Sequence, residues 1–135
     1  MVQSLPKVKF RKGGGRLVRR VTNKLRIRSK IWIEDETGKI IFGQGRLKIL
    51  EAVIRHGSIH AAAKELKMSY RAVWGKLKDT EERLGQPLLV RQVGGASGGG
   101  SELTPLGKNL FEKFSDLQAH VATEVENLFA RSFPS

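Results

Sequence analysis

Cysteine is absent from the 135 residues, so disulfides and thiolate metal sites are excluded. Histidine is scarce. His56, His60 and His120 fall in separate stretches without ligand spacing, so no metal site is expected. No apolar run approaches the roughly 20 residues that cross a bilayer. The basic N-terminus is not followed by the apolar segment of a secretory signal, and neither is the Arg19-Arg20 pair. A cytoplasmic location without a membrane partner is expected. No Ser/His/Asp nucleophile arrangement can be assembled, and Ser58 and Ser69 read better as helix caps, so the chain is not expected to be an enzyme. Acidic residues are few and are missing entirely from the first thirty positions.

Basic residues are what the chain has in excess. The formal charge is +12, yet it is unevenly placed. Residues 1–30 hold 11 Lys/Arg and no acid, whereas residues 31–135 hold 14 Lys/Arg against 13 Asp/Glu. Residues 1–22 lack periodicity and contain Gly13-Gly14-Gly15, which predicts a disordered basic arm. Such an arm is either a solubilising tail or a phosphate-contacting or minor-groove arm. The remainder, residues 23–132, has the length of one domain with a real core.

Apolar periodicity divides that domain. Leu25, Ile27, Ile31 and Ile33 alternate with polar residues, which predicts a half-buried strand from Lys24 to Ile33. "EDETGK" turns the chain and "KIIFG" returns as a second strand. Leu47, Leu50 and Ile54, with Ile49 and Val53 beside them, mark one face of a helix over 44–57 that Gly57 stops. Ser58 caps the next helix, whose apolar face is Ile59, Ala62, Ala63 and Leu66. Ser69 caps a third, "YRAVWGKLKDTEERLG", with Val73, Leu77 and Leu84 inward. "PLLVRQV" at 87–93 predicts a strand with Leu88 and Val90 inward, and "SELT" at 101–104 is its partner. Pro105 opens a final helix, capped by Thr104 and running to about Phe129.

The stretch between the last two strands is the most glycine-rich of the domain. It offers three readings: a phosphate loop, a linker or a hairpin tip. Gly95 to Gly100 imitates G-x-x-x-x-G, but Ser101 stands where the lysine of a nucleotide-binding loop belongs, and no helix opens there. Beyond it the chain holds one strand and one helix rather than a domain, so a linker is also excluded. A mobile hairpin tip remains.

The second and third helices, joined by a short turn, form a helix-turn-helix candidate. Ala62 and Ala63 are small where the two must approach. Lys67, Arg71, Lys76 and Lys78 come without an intervening acid, and Asp79, Glu81 and Glu82 come after them at the far end. That polarity suits phosphate attraction. The alternative is an ordinary helical hairpin with a solvated basic face.

"GSIHAAAKELKMSYRAVWGKLKDTEERLGQPLLVRQVGGASGGGSELTPLG" resembles the N-terminal DNA-binding domain of the LysR-type regulators. "SYRAVW" and the long glycine stretch resemble the ModE type, the molybdate-responsive regulators, more closely. The resemblance implies a mainly α fold with small β-hairpins: a winged helix-turn-helix with a long C-terminal dimerisation helix. It implies a homodimer on an inverted repeat of double-stranded DNA, usually as a repressor near molybdate-transport genes. Base-reading then falls to Ser69, Tyr70, Arg71, Trp74, Lys76 and Lys78, and wing contacts to Arg91, Gln92, Ser97 and Ser101. Trp74 also lies beside the Val73 stripe and has packing as its alternative. The subunits would pair through Leu110, Phe114, Leu117, Val121, Val125 and Leu128. Full-length members carry molybdate-binding modules after this domain. No such module fits before Ser135, so neither molybdate sensing nor any other cofactor is expected of this chain. Two other functions compete: an architectural nucleoid-type protein with low sequence preference, and a winged helix turned to RNA or protein binding.

Overall fold

The computed structural model describes residues 25–92 and 100–134. Two strands open it, β1 (Trp32–Glu34) and β2 (Ile40–Gly43). Three helices come next, α1 (Gln44–His56), α2 (Ile59–Leu66) and α3 (Tyr70–Leu84). Strands β3 (Leu89–Gln92) and β4 (Gly100–Leu103) then lead into α4 (Pro105–Ser132). The protein is thus mainly helical, with two antiparallel strand pairs. No helix among the described residues is long and apolar enough to cross a membrane.

Residues 30–120 form one compact unit. Its core draws Phe42 from β2, Ile49, Leu50 and Val53 from α1, Ala62 and Ala63 from α2, Val73 and Leu77 from α3, Leu88 from the α3–β3 connection and Phe114 from α4. Phe42 meets Phe114 edge to face, with ring centroids 5.1 Å apart. The helix ends obey the local chemistry. Gly57 and Gly85 adopt left-handed conformations at φ 73° and 71°, which a glycine takes without strain. Ser58 Oγ accepts from the Ala61 amide at 3.1 Å and Ser69 Oγ from the Ala72 amide at 3.0 Å. Lys67, in the turn between α2 and α3, has φ 55°. In the β1–β2 turn, Asp35 Oδ1 accepts from the Thr37 hydroxyl and from the amides of Thr37 and Lys39. These donors, with Arg83 nearby, hold its carboxyl below the usual range.

Several expectations need correction. The first strand does not begin at Lys24, because the ladder starts only at Trp32, opposite Gly43. β2 ends at Gly43, where α1 begins, so the ladder has no further partner residue for Ile31. Ile33, although paired with Phe42, is 39% exposed rather than inward. Ile54 lies at the margin of the α1 stripe in its last turn, exposed, while Ile49, Ala52 and Val53 carry the contact. Leu84 has the right azimuth on α3 but ends the helix beyond the packed length. Thr80 takes the buried place instead, donating its hydroxyl to Ile41 O at 2.6 Å. Val90 is 53% exposed because β3 and β4 leave the core after Leu88 and Leu103. The final helix runs three residues past Phe129, to Ser132.

The second unit, among the described residues, holds 25–29 and 121–134. Leu25–Ser29 line a cleft with Ala122, Val125, Glu126 and Phe129. The rings of Phe129 and Phe133 are 5.2 Å apart.

Candidate nucleic-acid interface

α3 presents two different sides. Val73, Leu77 and Thr80 face the core. At about 100° per residue, Arg71, Gly75 and Lys78 fall on the opposite side, and all three are exposed. Trp74 lies on the flank between, 39% exposed, with Lys78 Nζ 5.5 Å above its ring. Trp74 therefore does not pack as a core residue. It supplies an apolar face that a cation already finds attractive.

Two of the three acids of α3 are engaged with the fold, whereas Glu82 is exposed on the outward side. Asp79 takes Arg46 Nη2 at 3.3 Å, and Glu81 Oε2 accepts from the Leu88 amide at 2.6 Å. Arg71 and Lys78 make no ion pair among the described residues. The outward side of α3 is thus cationic from Arg71 to Lys78, with Glu82 following at its far end, and such a cationic stretch is what a polyanion needs.

Tyr70 joins α3 to its neighbours. Its ring stacks on His60 at the start of α2, with centroids 4.2 Å apart, and its hydroxyl accepts from Arg91 Nη2 at 2.6 Å. Because a phenol oxygen both donates and accepts, the O–H of Tyr70 stays available to an external acceptor. Arg91 stands on β3 opposite Ser101 of β4. The Ser101 amide donates to Gly57 O at 2.7 Å, which ties β4 to the α1–α2 turn near the loop end of this hairpin.

The named residues do not form one cluster. Tyr70, Trp74, Lys78 and Arg91 share the side bordered by the β3–β4 hairpin, and Arg71 lies on the outward side of α3. Ser69 is at the head of α3 with one acceptor site of its hydroxyl used in capping. Lys76 lies on the other flank, beside the β1–β2 hairpin. Gln92 ends β3 opposite Gly100, and Ser97 lies outside the described residues. On α4, Phe114 is 2% exposed and belongs to the core against Phe42, so it is not part of a free face. Leu110 is half-buried, as are Val121 and Val125, and Leu117 and Leu128 are exposed.

Two contributors escaped the sequence. His60 had no signal, since its role depends on Tyr70 arriving beside it from another helix. Gly75 did have one: a glycine inside a helix costs roughly 0.5–1 kcal/mol relative to alanine, and a Cβ there would meet nothing within 4 Å. Packing within the chain therefore gives no reason for it. Gly75→Ala is expected to stabilise the fold by that amount and raise the melting temperature by a few degrees. A lower melting temperature in a thermal scan would mean that the site is not open.

Residues 45–108 match the family of bacterial regulatory helix-turn-helix proteins, lysR family. The molybdenum transport protein ModE of Azotobacter vinelandii is 35% identical over 86 residues, covering 64% of this chain and 32% of that protein. The transcriptional regulator ModE of Haemophilus influenzae is 36% identical over 73 residues, covering 54% of this chain and 29% of that one. The chain spans about a third of the length of these relatives. Among solved structures, the complex of the CbnR DNA-binding domain with DNA aligns with a TM-score of 0.52 at 27% identity, covering 65% of this chain and 95% of that domain.

Proposed function

From the premise that residues 45–108 are a helix-turn-helix domain of the LysR regulatory type, similar to that of ModE regulators, we propose that the chain is a sequence-specific DNA-binding transcriptional regulator. Its genes are those of molybdate transport or molybdenum use, and its action is repression. One observation carries the DNA reading: Arg71, Gly75 and Lys78 line the outward side of a helix whose other sides are anchored to the fold. An α-helix of that kind enters the major groove, where Arg71 can donate two hydrogen bonds to a guanine. Arg91 and Ser101 lie on the β3–β4 hairpin, the wing, within reach of the flanking phosphates. Leu117 and Leu128, with Leu110, Val121 and Val125, fall along one stripe of α4 and pair with a second copy. The domain spans residues 23–132, and the basic arm, residues 1–22, adds sequence-independent attraction to the phosphates.

The test is selection of duplexes from random DNA with the purified chain, followed by footprinting of the selected site. An inverted repeat is expected, protected in two halves about 34–36 Å apart. Arg71→Ala is expected to relax selection at one base pair per half-site, a loss of about 1–3 kcal/mol of discrimination. Deletion of residues 1–22 weakens binding to every sequence and flattens its salt dependence. Duplexes without a common motif would point instead to an architectural protein. A single unrepeated half-site would remove the dimer from the reading.

A further inference from the structure

Lys76 projects roughly 140° around α3 from Arg71, toward the β1–β2 hairpin rather than the wing. There it shares a cleft with Lys30, Trp32, Ile40, Gly43 and Arg46. Arg46 is a strut of the fold: its side chain is 13% exposed, pinned by Nη2 to Asp79 and by Nε to the Lys76 carbonyl. The two lysines differ from it. Both are exposed, and neither makes an ion pair among the described residues. The same cleft is lined by Trp32, 48% exposed, its Nε1 donating to Glu34 at 2.7 Å. Glu34 accepts that bond and keeps its own charge, while Asp79 is paired with Arg46. The cleft thus combines two ammonium groups without an ion pair among the described residues and one apolar indole.

We propose that this cleft is a second DNA-contacting rim, which takes the phosphodiester backbone on the side of the major groove away from the wing. Lys30 and Lys76 donate to phosphate oxygens, and Trp32 packs on the deoxyribose between them. The inference rests on the DNA-binding reading above. Size supports it: a helix with its side chains is about 10–12 Å across and the major groove about 12 Å wide. A seated α3 therefore brings both flanks to the two backbones that border the groove. The wing serves one border, and the β1–β2 hairpin supplies the cationic surface for the other.

The test is the double variant Lys30→Gln/Lys76→Gln in the full chain. Neither side chain contributes an ion pair to the fold, and an unchanged melting curve checks this. Binding is measured by fluorescence anisotropy from 50 to 200 mM salt, on the selected duplex and on a scrambled one, with hydroxyl-radical footprints alongside. Each phosphate contact contributes about 0.9 to the slope of log K against log salt. The expected result is a slope shallower by about 1.8 on both duplexes, an unchanged ratio between them, and loss of backbone protection on the border away from the wing. Wild-type slope and protection in the double variant would overturn the rim and leave DNA binding standing. A collapsed ratio between the duplexes would also overturn it, since the lysines would then be reading bases. If the wild-type chain binds neither duplex, the rim and the function it rests on both fail.

Discussion

Phe42→Ala is expected to remove about 3–5 kcal/mol of folding stability. Phe42 is fully buried on β2, and its ring lies 5.1 Å from that of Phe114 on α4. The truncation therefore loses the apolar transfer of a whole ring, leaves a cavity, and breaks an aromatic pair that joins two elements far apart in sequence. A domain of this kind has about 5–15 kcal/mol in total, so the loss is a large share of it. The consequence reaches α3, because the strand that carries Phe42 also presents the Ile41 carbonyl to Thr80. Urea titration of the variant reads the loss directly. A change below about 1 kcal/mol, far under the range for truncating a buried ring, would mean that the strand β2 is not seated in the core as described.

Gly107→Ala is expected to cost about 1–3 kcal/mol, as overpacking does. A Cβ at Gly107 would stand 2.4 Å from Leu88 O, and 3.3 and 3.4 Å from the Leu103 side chain. The first of these neighbours is backbone and cannot rotate away. It also accepts from the Thr104 amide at 2.9 Å, while the Thr104 hydroxyl donates to Pro87 O at 2.8 Å and accepts from the Gly107 amide at 3.0 Å. Room for a methyl group can come only by parting α4 from the base of the wing. Thermal unfolding should report a lower midpoint, with DNA affinity falling alongside it. Placed beside Gly75→Ala, the same chemical change inside two helices carries opposite signs. An unshifted midpoint for Gly107→Ala would overturn the close approach.

What the chain reveals before folding is what neighbours in sequence decide. Ser58 and Ser69 were legible as caps, and Gly57 and Gly85 as helix stops, because the partner amide or carbonyl lies within four residues. The order of elements from Ile40 onward was legible from apolar spacing, as was the placing of Arg71 and Lys78 outside. The contacts of Thr80 with Ile41, Arg46 with Asp79 and Arg91 with Tyr70 were not, since they join residues 39, 33 and 21 positions apart. Leu25 to Ile33 misled for a related reason. Alternation tells which side of a strand is apolar but does not supply the second strand. Val90 likewise keeps the phase of Leu88 past the point where there is a core to meet it. Phe114 fits the heptad-like row of α4, and only Phe42 across the core shows which partner it has.

The supports of α3 have one more effect. Thr80 to the Ile41 carbonyl, Arg46 to the Lys76 carbonyl and to Asp79, and Arg83 to Asp35 at 3.1 Å fasten the second half of the helix to β2, to α1 and to the β1–β2 turn. None of them uses Arg71, Trp74, Gly75 or Lys78. The residues of these supports are therefore distinct from Arg71 and Lys78, whereas Tyr70, stacked on His60 and bonded to Arg91, both holds the helix and lies at the interface. Arg71 and Lys78 can be changed by mutation while those supports are left intact, so under the proposed DNA-binding function the sequence recognised can drift, or be engineered, at little cost to folding.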